Sequence, residues 1–200
     1  MTFAWIFNIY TRLGIDLGKA LLIGQYHILE KIPEKKIRQQ VRRLGRNITE
    51  EYRSREPVLI GVLNGVFVFF ADLVREISIP LKVDFVRVAS YGSQDVSSGK
   101  ITLTKDIEVP IEGKPVIIIE DIVDTGLTLC HLVNHIKEKK PESVKICALI
   151  NKVERREKEV EIDYWGFEIK EGFLVGYGLD YKEQFRYLPY ILSLDMRDKS

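Results

Sequence analysis

The sequence predicts an α/β fold, a mostly parallel twisted sheet flanked by helices, and three observations carry that prediction. Two buried-strand patterns are each followed by a short Gly-containing turn and a helical pattern: Val58–Leu63 leads into Asn64-Gly65, and residues 116–119 lead into Asp124-Thr125-Gly126-Leu127-Thr128. A third apolar run, residues 143–150, follows the second of these helices. Strand, turn and helix in this alternation build βαβ units, whose crossovers make neighbouring strands parallel and cover the sheet with helices.

Bulk properties set the limits. The chain has 200 residues, enough for one domain with a core of its own. Thirty basic residues against twenty-nine acidic ones leave a net charge of +1 with no long block of one sign, so no nucleic-acid partner is expected. Cys130 and Cys147 sit inside apolar elements, and two cysteines do not suggest a disulfide framework; the expected compartment is the reducing cytoplasm. No run reaches the ~18 uncharged apolar residues of a membrane span.

Residues 1–26 read as an N-terminal extension. Phe3, Trp5, Ile6, Phe7, Ile9 and Tyr10 are interrupted by Arg12, Asp16 and Lys19, so no clean hydrophobic face forms, and no small-residue cleavage site marks a secretory signal. The domain is expected over residues 27–200. Residues 33–52 predict a surface helix, with Ile37, Val41, Leu44 and Ile48 on one face. Phe70, Leu73, Val74 and Ile77 repeat the helical spacing after Asn64-Gly65, Pro80 breaks that helix, and residues 81–89 predict the next strand.

Residues 90–100, SYGSQDVSSGK, have the composition of a mobile loop at the ligand edge, and Ile101–Lys105 reads as a strand pairing back. His131 and His135 have a zinc-like spacing, but no third ligand lies nearby in the sequence. After residue 150 the alternation stops. Residues 160–169 and 172–178 read as two short strands of a small hood subdomain, placed over the sheet edge and spanning about residues 152–186.

The chemistry concentrates at VIIIEDIVDTGLT, residues 116–128. Glu120 and Asp121 stand at the carboxyl end of a buried strand, where ligands bind in open α/β sheets. The turn beyond them opens a helix whose first N–H groups and Thr hydroxyls converge on one spot, suited to a phosphate. Carboxylates beside a bare phosphate would repel it, so the ligand must also carry a magnesium ion or sugar hydroxyls. A phosphorylated sugar meets both demands.

These residues resemble the phosphoribosyl-diphosphate (PRPP) signature of the type I phosphoribosyltransferases, in the form of the hypoxanthine-guanine branch. The resemblance implies a 6-oxopurine and PRPP as substrates, magnesium as cofactor, and a homodimer or homotetramer. It also implies roles along the chain. Glu120 and Asp121 match the pair that meets the ribose hydroxyls and their metal. Thr125, Gly126, Leu127 and Thr128 match the 5′-phosphate loop, with Asp124 at its head and also as general base toward the purine N7. Asn64-Gly65 matches the pyrophosphate loop; the family commonly has Lys where Asn64 stands, which leaves a backbone contact there. Ser90-Tyr91 matches the start of the loop that closes over PRPP. Lys152 matches the donor to the purine 6-oxo oxygen, Phe173 the ring stacked on the base, and Leu174 the backbone at its edge. Asp180 matches a second magnesium site beside the purine, and Arg186 a pyrophosphate contact.

Other readings fit less well. A receiver-like signalling domain would carry its acidic pair after the first strand, whereas this pair lies past the midpoint. A non-catalytic PRPP-sensing regulator on the same fold would not need Asp124, Lys152 and Arg186. The nucleotide-kinase pattern G-x-x-x-x-G-K-[ST] is absent.

Overall fold

A run of β-branched residues with no polar face sits at the centre of the main sheet. This strand, β5 (Pro115–Val123), is buried along nearly its whole length. The computed structural model describes residues 27–90 and 101–195. In chain order the other elements are β1 (His27–Ile32), α1 (Glu34–Glu51), β2 (Val58–Leu63), α2 (Phe67–Arg75), β3 (Lys82–Ser90), β4 (Ile101–Lys105), α3 (Leu127–Glu138), β6 (Ser143–Lys152), β7 (Tyr164–Ile169), β8 (Phe173–Val175) and β9 (Ile191–Asp195). The main sheet has the order β4-β3-β2-β5-β6-β7. Every pairing in it is parallel except β3 with β4. The expected α/β class, with its mostly parallel sheet, is the architecture found.

The two-residue period of β5 divides its side chains between two cores. Ile117 and Ile119 pack with Ile37, Val41, Leu44 and Ile48 of α1 and with Phe69, Phe70 and Leu73 of α2. Val116 and Ile118 face the other way, onto Leu129, Leu132 and Ile136 of α3. Helices therefore cover both faces, and the carboxyl ends of the strands are left to form the site.

Two boundaries differ from the sequence reading. α2 ends at Arg75, where the N–H of Glu76 bonds the carbonyls of Leu73 and Val74. Ile77 keeps the helical spacing and is buried, but it packs into the core from beyond the helix. Tyr164–Ile169 is not part of a hood: it pairs with β6 in parallel as the sixth strand of the main sheet. The hood sheet has the order β1-β9-β8 and is antiparallel, so both ends of the described chain build it. Its own core joins Val175, Phe185, Leu188, Tyr190, Leu192 and Leu194.

The β3–β4 arm is fixed by two buried or half-buried acids. Asp84 accepts from the N–H groups of Phe85 (2.7 Å), Glu108 (2.6 Å) and Val109 (2.9 Å) and from Lys105 Nζ (3.0 Å). Asp106 bonds His135 Nε2 at 2.9 Å and Lys139 Nζ at 2.8 Å, tying the arm to α3. His135 is thus committed to a carboxylate, and among the described residues no three His, Cys, Asp or Glu side chains gather to hold a metal by themselves.

Candidate active site

Gly126 shapes the turn between β5 and α3. It caps α3 in the left-handed region at φ 82°, and a Cβ there would stand 2.3 Å from the Lys158 carbonyl oxygen. Both facts require glycine. Gly126 offers no side-chain cap, so apart from that of Leu127 the first N–H groups of the helix stay open to an anion. Leu127 N–H reaches Thr125 Oγ1 at 3.4 Å, while the N–H groups of Glu157 and Lys158 hold the Thr125 carbonyl from behind at 2.9 and 3.0 Å. Thr125, Gly126 and Thr128, together with Glu120, Asp121 and Asp124, line a small cavity of about 230 Å³.

Glu120 and Asp121 are both buried, at 8% and 7% exposure. Burial, and then the charge of Asp121, push the Glu120 carboxyl well above the usual carboxylate range. Burial raises Asp121 too, against hydrogen bonds from Glu120 and from the N–H of Ile122. Two such acids hold a proton between them unless a cation replaces it. As hard oxygen donors they suit magnesium, which characteristically fills its remaining positions with water and substrate phosphates. Gly65 brings the neighbouring loop onto this pair: a Cβ at that position would stand 1.7 Å from Asp121 Oδ2. The Leu63–Asn64 peptide is cis.

A larger cleft of about 720 Å³ joins the loops, and its lining includes Asn64, Gly65, Asp121 and Asp124 from one side. Lys152, Phe173, Leu174, Asp180 and Arg186 line it from the other. Asp124 Oδ1 is buried without a hydrogen-bond partner, while its Oδ2 lies 3.5 Å from Arg155 Nη1. Lys152, at the end of β6, is 7% exposed and has Glu154 Oε2 at 3.6 Å. Phe173 keeps 38% of its surface open, its ring edge-on to Tyr181 at 5.4 Å. Arg186 pairs with Asp180 Oδ1 at 2.8 Å and donates to the Gly178 carbonyl at 2.8 Å.

All the predicted positions that fall on described residues meet in these two cavities, apart from Leu127, whose side chain is 39% exposed, and Ser90, the last residue of β3. Tyr91 lies outside the described residues. Sequence reading missed three arginines. Arg87 lines the cleft from β3, opposite Leu63 of β2. Arg155 approaches Asp124, and Arg156 donates to the carbonyls of Asp124 (2.9 Å), Val123 (3.2 Å) and Lys152 (3.1 Å) and to Asn151 Oδ1 (2.6 Å). Arg156 thereby ties the turn after β5 to the strand that carries Lys152. In the sequence both residues sit in a charged stretch that looks like solvated surface.

Comparison with known proteins places this geometry. The phosphoribosyl transferase domain model matches residues 29–182. A hypoxanthine-guanine phosphoribosyltransferase of Bacillus subtilis is 45% identical over 167 residues, covering 82% of this chain and 93% of its own. The hypoxanthine phosphoribosyltransferase of Salmonella typhimurium is 42% identical over 170 residues, covering 84% and 96%. The crystal structure of a Bacillus anthracis hypoxanthine-guanine phosphoribosyltransferase, 42% identical, superposes with a TM-score of 0.79 over 84% of this chain and 100% of that one. The fold is thus shared with a solved enzyme of this kind, and the chain belongs to the hypoxanthine-guanine phosphoribosyltransferases of the phosphoribosyl transferase family.

Proposed function

We propose that the protein transfers the phosphoribosyl group of PRPP to hypoxanthine or guanine, releasing pyrophosphate and forming the nucleotide, as a step of purine salvage. The observation that carries this reading is the convergence, in one cleft, of Lys152, Phe173, Asp124 and Arg186. Each supplies a separate need of the reaction. The Lys152 ammonium donates to the 6-oxo oxygen, and a 6-amino group offers it no comparable acceptor. The half-open Phe173 ring stacks on the base, and Leu174 presents backbone groups to its edge.

The purine nitrogen forms a bond to the anomeric carbon as the bond to pyrophosphate breaks. Asp124 Oδ1, buried and unpartnered, accepts the N–H at purine N7 and holds that proton as charge develops. The 5′-phosphate rests on the N–H groups opening α3 and on the hydroxyls of Thr125 and Thr128. Asn64 and Gly65 offer backbone groups to the pyrophosphate, and the Arg186 guanidinium offers it a charged fork. Glu120 and Asp121, and Asp180 at a second position, would hold magnesium; when bound, it neutralises the leaving pyrophosphate and orients the ribose hydroxyls. The loop that begins at Ser90-Tyr91 excludes water from the oxocarbenium-like state. From the resemblance we further propose cytoplasmic location and a homodimer or homotetramer.

Steady-state kinetics of Asp124→Asn test the mechanism. Turnover should fall by about a hundredfold or more, while the KM for PRPP stays within about threefold. Equal loss of both would remove Asp124 from the base role.

A further inference from the structure

Tyr177 stands between the hood and the pyrophosphate loop in a conformation that L residues avoid. Its φ is 52°, between Gly176 at 96° and Gly178 at 100°. The side chain is 5% exposed, and its hydroxyl donates to Asp72 Oδ2 at 2.5 Å. Asp72 belongs to α2, the helix that starts directly after the Asn64-Gly65 loop. Its other oxygen pairs with Arg75, so the carboxylate itself is held in place.

The turn that Tyr177 completes touches two pieces of the site. A Cβ on Gly178 would stand 2.1 Å from the Gly65 carbonyl oxygen, so the turn rests directly on the pyrophosphate loop. Gly178 N–H bonds the Arg186 carbonyl at 2.9 Å, and the Gly178 carbonyl accepts from Arg186 Nη1 at 2.8 Å. Tyr177 N–H bonds the Leu188 carbonyl at 2.8 Å. One turn thus sets both the height of the Gly65 loop and the aim of the Arg186 guanidinium.

We propose that the Tyr177–Asp72 hydrogen bond is a positioning device for the pyrophosphate end of the site, acting through the Gly178 turn on Gly65 and Arg186. The phenol ring fills apolar space that a phenylalanine would fill as well, so the hydroxyl is the part that fixes where the hood meets α2. At the purine end Lys152 and Asp124 hang from other elements, and Phe173 and Leu174, just before the turn, are held by the pairing of β8 with β9. The geometry of that end does not pass through this bond.

The inference rests on the transferase reading, and the two fail separately. Calorimetric titration of the full-length protein with inorganic pyrophosphate in magnesium buffer tests it without turnover, with IMP as control because IMP fills the base and 5′-phosphate sites only. Tyr177→Phe and Asp72→Ala should each weaken pyrophosphate binding about tenfold, with no further loss when combined, and leave IMP affinity within about twofold. Asp72→Asn, which keeps a carbonyl acceptor for the phenol, should stay within about threefold of the unaltered protein. Unchanged pyrophosphate affinity in Tyr177→Phe, or IMP affinity falling in step with it, overturns the inference. Absence of turnover with any purine in the unaltered protein counts instead against the transferase reading.

Discussion

Lys152 is the residue on which base selectivity turns in this account. A buried ammonium facing a cleft is satisfied when a 6-oxo oxygen accepts from it and left short when a 6-amino group stands there. Lys152→Ala should therefore lower kcat/KM for hypoxanthine by about a hundredfold and shrink its advantage over adenine. An unchanged ratio of the two would move selectivity elsewhere. Glu120 and Asp121 make a second prediction at this scale. Their carboxyl pKa values are raised by burial, so the pair favours the folded state below the ordinary carboxylate range and loses that contribution as pH rises through the folded values. Magnesium held by the pair, as proposed above, would relieve the charge that builds up. It should raise Tm more at about pH 8 than at about pH 5, with protons released on binding. A magnesium effect independent of pH would contradict this.

Among the elements, the phosphate loop and the β3–β4 arm depend on single residues that can be tested. Gly126→Ala forces a side chain into the left-handed region and against the Lys158 carbonyl. It should lower stability by about 1 kcal/mol or more and weaken PRPP binding, read by thermal unfolding and by KM. In the arm, burial alone would raise the pKa of Asp84, but the N–H groups of Val109, Glu108 and Phe85 and the Lys105 ammonium bring it down to about 2. A lowered pKa stabilises the fold above the unfolded carboxylate value, and this is lost as pH falls toward the folded one. Asp84→Asn should thus cost about 2 kcal/mol near neutral pH, with the gap closing toward about pH 2 in denaturant titrations. The strands and helices of this layer were legible because periodicity reports burial: Val58–Leu63 and Ile101–Lys105 have the bounds their patterns suggest. Asp84, a lone acid in an apolar run, gave no local sign of its four partners, which lie mostly beyond the 91–100 segment.

At the scale of the whole molecule, the main sheet supplies a fixed floor of acids and helix N–H groups, and the hood brings Phe173, Asp180 and Arg186 over it. The floor could be read from residues 116–128, where strand, acids and turn are contiguous and each constrains the next. The hood could be read only in part. Its sheet pairs His27–Ile32 with Ile191–Asp195 from opposite ends of the chain, and such register leaves no local trace. β7 was misplaced for a related reason: a short half-buried strand has the same pattern at the edge of a large sheet as in a small one. Arg156 was missed because its partners are mainly backbone carbonyls, which no side-chain pattern encodes.

The claim that joins these scales is that floor and hood together make a 6-oxopurine transferase. It is tested most directly by nucleotide formation from PRPP and magnesium with hypoxanthine, guanine, xanthine, adenine and uracil offered one at a time. The account predicts turnover with hypoxanthine or guanine and none with adenine or uracil. Tight PRPP binding without turnover of any base would contradict it and would favour a PRPP-sensing regulator on the same fold.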